Sequence, residues 1–193
     1  METFDYLVGL VSIVIGLGLA EVAGGMNRLL RRGGSKHDPL IFGPPILVAL
    51  MLVSIWFDVW SVRRIPDLFS FPFFTLIFAQ LMLLYLLAAA CIPNATDQDV
   101  LLNHESYEAN RPYFWRLFSA YQLMYLGFWI FFQTKKGLPP AALLQRIFEP
   151  TGAAVPLIIG IAMALSLRRS LQAAGLILLM GWLIVGYWNY RIS

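Results

Sequence analysis

Apolar residues in this chain fall in long unbroken blocks, and the polar residues gather in short stretches between them. The blocks lie at about 6–28, 41–62, 68–92, 113–133, 152–167 and 171–190. Bilayer hydrocarbon is about 30 Å thick and a helix rises about 1.5 Å per residue, so about 20 apolar residues cross it. Every block but 152–167 reaches that length, and 152–167 amounts to about 24 Å of helix. The pattern predicts an all-α membrane protein: a six-transmembrane-helix bundle in a single domain, 1–193, with one or two short interfacial helices.

The intervening stretches fit helix ends. RRGGSKHDP after the first block is polar and punctuated by glycine and proline, as a tight loop is. Pro44 and Pro45 stand in the first turn of the second helix, where the missing amide hydrogens have no intrahelical acceptor. Pro93 closes the third. The polar stretch 94–112 is the longest, and its apolar residues 100–102 with Tyr107 suggest a short helix along the membrane surface. Trp115 and Trp129 lie toward the two ends of the fourth block, positions suited to an interfacial belt. Proline opens the mixed segment 140–148, which is too short to cross and reads as interfacial. Arg168, Arg169 and Ser170 make a tight turn between the last two blocks. No internal repeat is visible, so an inverted-repeat design has no support in the sequence.

Composition agrees. With 59% hydrophobic and 13% charged residues, the chain is too apolar for an ordinary soluble domain. The formal net charge of +3 does not point to nucleic acid, because the basic residues cluster at block ends, where topology signals belong. One cysteine, Cys91, excludes an intramolecular disulfide, a CxxC pair and a thiolate zinc site. The opening METFDY is acidic rather than basic, so the first helix is expected to be retained rather than cleaved. Arginines and lysines around the loops after the first, third and fifth helices number eight (Arg28, Arg31, Arg32, Lys36, Arg111, Arg116, Arg168, Arg169), against six on the other side. That bias places both termini outside.

Charges inside a membrane span are costly and mark functional candidates. Glu21 in the first helix and Asp58 in the second, between Trp56 and Trp60, lie near opposite surfaces. With Gln80 and Tyr125 they form a candidate ion pathway. Glu21 also shares a helical face with Arg28, seven residues on, and is expected at the depth of Arg116, so a structural ion pair with either is the plainer expectation. Ser12, Gly16, Ala20 and Gly24 recur every fourth residue and are expected to pack closely against another helix of this chain or of a second copy.

Missing features narrow the chemistry further. His37 and His104 both fall between blocks, which argues against bis-histidine haem, and no lysine lies in a block to form a retinal Schiff base. His104, Glu105 and Glu108 have helical spacing, but such surface clusters are far more often solvated than metal-bound. No GxSxG, HExxH or GxxxxGK[ST] pattern is present, which points away from an enzyme and leaves no cofactor or metal expected.

ETFDYLVGLVSIVIGLGLAEVAGGMNRLLRR at 2–32 and ANRPYFW at 109–115 together resemble a group of small bacterial multi-pass membrane proteins of no assigned activity. The resemblance covers about a quarter of the chain and implies a bacterial inner-membrane location. Two functions follow as expectations. One is a small channel or carrier, proton-coupled through Glu21 and Asp58. The alternative is a non-transporting accessory or scaffold subunit that assembles with a second copy or a larger membrane complex through its glycine-rich first helix. A continuous polar cavity from Asp58 to Glu21 would favour the first, and sealed apolar packing between them the second.

Overall fold

A computed structural model describes residues 2–31, 39–61, 71–92, 104–149 and 152–188. Every regular element among them is helical: α1 (Glu2–Arg31), a 3-10 turn (Pro39–Phe42), α2 (Gly43–Ser61), α3 (Phe71–Ala90), α4 (His104–Lys135), α5 (Pro140–Ile147), α6 (Ala154–Leu165) and α7 (Arg169–Tyr187). Among the described residues four helical stretches are long and apolar enough to cross a bilayer: Phe4–Arg31, Leu40–Trp60, Phe73–Ala90 and Arg169–Tyr187. Large apolar side chains stand exposed around them, among them Ile13, Leu17, Leu76, Ile158, Ile177 and Val185. In water such a surface would aggregate, whereas against lipid tails it is the ordinary outer face of a membrane bundle.

The helices close into a ring, each packed on the next in the order α1, α2, α7, α6, α4, α3 and back to α1, with α2 also touching α3. The two ends are fixed by contacts. At the end where α1 begins, here the upper end, Phe4 meets Trp60 edge-on at 5.6 Å, Phe57 meets Tyr187 at 6.2 Å, and Phe73 packs on Phe128, Phe131 and Phe132. At the lower end Asn110 Nδ2 donates to the Ala90 carbonyl, and Arg111 Nη1 donates to the Ser166 carbonyl at 2.8 Å.

The expected interior of α1 is corrected. Its buried stripe is Leu7, Val11, Val14, Gly18, Val22, Gly25 and Leu29, spaced by three or four residues. Gly18 admits Leu52 of α2 and Gly25 admits Ile92; a Cβ at Gly18 would lie 2.9 Å from a Leu52 methyl. Ser12, Gly16 and Ala20 instead face outward, Gly24 is half-buried, and a Cβ at Gly16 would meet nothing within 4 Å. Among the described residues the row read as a packing seam therefore lies outside the buried stripe of α1, with Gly24 at its margin. Because α1 is apolar almost all round, periodicity could not select its inner face.

Helix α4 also differs from expectation, starting at His104 rather than near Tyr113 and running through Pro112. Proline inside a helix forfeits one hydrogen bond and disfavours helix in the residue before it. Tertiary bonds hold the preceding turns in place: Tyr107 to Gln172, Asn110 to Ala90 and Arg111 to Ser166. The apolar residues 100–102 lie outside the described residues.

The segment expected to be interfacial forms α5, which packs on α4. Helix α6 is shorter than the 152–167 block, at 12 residues or about 18 Å. Its position follows from Ser166 beside Arg111 and Gly160 against Phe118, which set it antiparallel to α4. On that register Ala154 lies level with about residue 124 of α4, about 16 Å below Lys135. The chain from Lys135 to Ala154 thus descends along α4 before α6 starts. Buried Gly152 makes that tight start, its amide donating to Glu149 at 2.7 Å and its carbonyl accepting from Val155 at 3.2 Å.

Candidate functional site

Inside the ring, at its upper half, α1 to α4 leave a cavity of about 290 Å³. Leu7 and Val11 of α1, Ile55, Asp58 and Val59 of α2, and Ile77, Gln80 and Leu81 of α3 form three walls. The fourth is late α4: Tyr125, Phe128, Trp129, Phe132 and Gln133, with Lys136 just beyond its end. These positions lie in the first part of α1, the first half and middle of α3, and the later part of α2 and α4, so the chamber belongs to the upper half. Three of the four residues expected on an ion pathway, Asp58, Gln80 and Tyr125, meet here. Helical phase brings them together, since Asp58 follows Ile55 by one turn and Tyr125 precedes Phe128 and Trp129 by one.

Behind Asp58 the polar groups continue into a cleft of about 20 Å³ between α2, α4 and α7, lined by Ser54, Tyr121, Gln122, Trp182 and Tyr187 among others. Tyr187 donates its hydroxyl to Asp58 Oδ1 at 2.7 Å, tying α7 to α2. Tyr125 interacts with Tyr187, and the buried Gln80 with Tyr121, so the acid sits within a polar knot contributed by four helices. In a low-dielectric interior such a network orients its members sharply and penalises removal of any one. Sequence reading missed Tyr187, because a tyrosine near the end of the last block looks like a member of the interfacial belt. Trp129 likewise turns inward to the chamber, correcting its assignment to that belt.

Glu21 has no place in this arrangement. It is half-buried on α1, one turn before Gly25, with Oε1 3.7 Å from Arg28. The pair with Arg28 is the one expected from their seven-residue spacing, whereas the alternative pairing of Glu21 with Arg116 is not made; Arg116 is exposed. Between the chamber and the level of Glu21 lie the buried apolar side chains Val14, Leu52, Leu84 and Phe118, each at most 3% exposed, with the polar Gln122 buried beside them. Glu21 is not among the residues that line the chamber, so the four residues expected on the pathway do not meet in one cavity.

A second polar centre lies at the lower end and was not anticipated. Gln172, in the first turn of α7, is fully buried. Its Oε1 accepts from Trp115 Nε1 at 2.7 Å and from the Tyr107 hydroxyl at 3.2 Å. Its Nε2 donates to the Met163 and Ser166 carbonyls at 2.8 and 2.9 Å. One side chain thereby satisfies the turn between α6 and α7 and clamps it to α4. Burial pushes the Tyr107 phenol above its ordinary range, so it stays a neutral donor. Trp115 too is an interior residue, not an interfacial one. Arg111, read from sequence as a topology charge, is only 5% exposed and bridges Glu108 at 3.2 Å to the Ser166 carbonyl. With every polar atom of Gln172 engaged, this centre is structural.

Glu108 thus pairs with arginine, and the described residues contain no group of three or more histidine, cysteine or acidic side chains placed to hold a metal. No protein-family model matches the chain, and neither the curated proteins nor the solved structures contain a significant match to it.

Proposed function

We propose that this chain is a multi-pass membrane carrier for a small solute, with its binding chamber open at the upper end and closed below. The observation that supports it is the chamber itself: a carboxylate, an amide and a phenol gathered among apolar and aromatic walls from four helices, with buried apolar side chains between it and the level of Glu21. An open channel needs a continuous polar path, and the buried Val14, Leu52, Leu84 and Phe118 below the chamber favour a carrier instead. A carrier exposes its site to one side at a time, and its site lies within the bundle. On this reading six helices cross a bacterial inner membrane. Helix α4 crosses with its aromatic-rich part, about 113–133, and α5 with α6 together make the fifth passage. Both termini lie outside, as the eight-to-six bias of basic residues favours. Any proton coupling acts through Asp58 alone, since Glu21 is remote from the chamber.

Solvent access tests this without knowledge of the solute. Gln80→Cys, made in a Cys91→Ser background, is labelled with a membrane-impermeant thiol reagent in right-side-out and inside-out vesicles. A carrier gives fast labelling from the upper side and slower, measurable labelling from the other as the protein interconverts. Labelling that stays strictly one-sided at all times and temperatures sinks the carrier reading.

The accessory-subunit reading draws on a different observation, the outward row Ser12, Gly16 and Ala20, which the bundle itself leaves uncovered. In lipid such rows let two backbones approach closely. Gly16→Leu would then disrupt assembly in nanodiscs while leaving the fold intact; unchanged assembly removes that reading's support.

A further inference from the structure

We infer that the small cleft between α2, α4 and α7 is a binding site for one ordered water, which accepts from the Trp182 indole of α7 and joins that helix to Ser54 of α2 and Gln122 of α4. Among the described residues three buried polar atoms have no hydrogen-bond partner: Arg111 Nε, Ser119 Oγ and Trp182 Nε1. They are not equivalent. The Arg111 guanidinium is already engaged through Nη1 by Glu108 and the Ser166 carbonyl, and a serine hydroxyl turns about its own bond to find an acceptor. An indole has one donor, fixed in a rigid ring, and burying it without an acceptor costs its full desolvation. Buried groups that the protein itself leaves unsatisfied are the usual seats of internal water.

Trp182 lines the cleft, whose volume is about 20 Å³. A water needs about 10–15 Å³ of such space and two to four polar partners, so the cleft admits one and has no room for an organic solute. The partners line the same walls. Ser54 donates its hydroxyl hydrogen to the Met51 carbonyl at 2.9 Å, which leaves the oxygen to accept. Gln122, only 6% exposed, adds an amide carbonyl. A water that accepts from Trp182 Nε1 and donates to Ser54 Oγ and Gln122 Oε1 makes three bonds, and that count calls on neither Asp58 nor Tyr187. A metal cation is the wrong occupant, because the indole would turn a positive hydrogen toward it. An apolar occupant would leave the donor as stranded as before. A bridging water is nearly as good as a direct bond, so α7 is tied to its neighbours twice: directly through Tyr187, and through water five residues, about 7.5 Å, nearer the lower end. The site is independent of any solute and of whether the chain carries one.

The test uses the full chain in detergent micelles, with its tryptophans isotope-labelled at the indole nitrogen and observed by NMR. The Trp182 resonance is identified by its disappearance in Trp182→Phe. Cross-relaxation between that indole proton and the water resonance reads a water held against it. The wild type should show the cross-peak together with the downfield proton shift of a hydrogen-bonded indole. Both should persist in Ser54→Ala and in Tyr121→Phe, which remove the neighbouring hydroxyls that could relay the signal and still leave the water two partners. Ser54→Val fills the cleft, and should remove the cross-peak and move the indole proton upfield. The wild-type spectrum alone can refute the site, so the outcome does not depend on how well a variant folds. An upfield indole proton without a cross-peak means a dry cleft and overturns the inference. A downfield proton without a cross-peak means a direct bond to a protein acceptor and overturns it equally. A cross-peak that survives Ser54→Val places the water outside the cleft, with the same consequence.

Discussion

Replacing Gln172 with leucine keeps the size of the side chain and removes all four of its hydrogen bonds at a position with no solvent exposure. Two donors, the Tyr107 hydroxyl and Trp115 Nε1, are then left buried without their acceptor. The Ser166 carbonyl keeps its bond from Arg111, so the loss falls mainly on the donors. A stranded buried donor costs about 1–3 kcal/mol, which sets an upper figure of about 6 kcal/mol. Interhelical hydrogen bonds in membrane bundles average only about 0.6 kcal/mol each, because the unfolded chain in lipid finds other partners. The expected loss is therefore about 2–4 kcal/mol. Reversible unfolding in mixed micelles, followed by tryptophan fluorescence, measures it. Gln172→Glu should be as damaging as Gln172→Leu, since its second oxygen would face two carbonyls in place of a donor. In combination with Trp115→Phe, which removes one of the stranded donors, the losses should fall short of additive by about 1 kcal/mol. A loss below about 0.5 kcal/mol for Gln172→Leu, or strict additivity in the cycle, refutes the reading of Gln172 as the clamp of the lower end.

The other expectations concern α1 and the chamber. Gly18→Leu should destabilise the monomer by about 1–3 kcal/mol through collision with Leu52, while Gly16→Leu should change its stability by less than about 0.5 kcal/mol; equal effects in the same unfolding assay would contradict the assignment of the inner face. Glu21→Gln should cost less than about 1 kcal/mol, because its partner Arg28 is 56% exposed near the lower end of α1, where a long basic side chain reaches the membrane surface, and a loss of about 3 kcal/mol or more by chemical denaturation would mean a desolvated pair. Tyr187→Phe removes one hydrogen bond to Asp58 and should cost about 0.5–1.5 kcal/mol, with faster hydrogen exchange at the upper end of α7 as the local readout; unchanged exchange there would show that the bond does not hold α7 to α2.

Much of the architecture was legible along the chain because lipid makes a one-dimensional demand: a helix that crosses must be apolar over its length, whatever it packs against. The blocks behind α1, α2, α3 and α7 follow from that demand alone, and so does the candidacy of Asp58, because a carboxylate in such a block is conspicuous wherever its helix turns. The faces of the helices were not legible. In water the polar side of a helix betrays the inner one, but α1 is apolar toward lipid and core alike, so Gly18 and Gly25 could not be told from Gly16 and Gly24. Long-range partners escaped for a related reason. Tyr107, Arg111 and Trp115 look like surface residues until α7 places Gln172 among them, 57 residues beyond Trp115. Pro112 argued for a helix start that those same bonds override. Glu21 and Asp58 carry the same charge in similar surroundings of sequence. Only the ring of helices decided that one lies half-buried beside Arg28, while the other lines a chamber between α1, α2, α3 and α4.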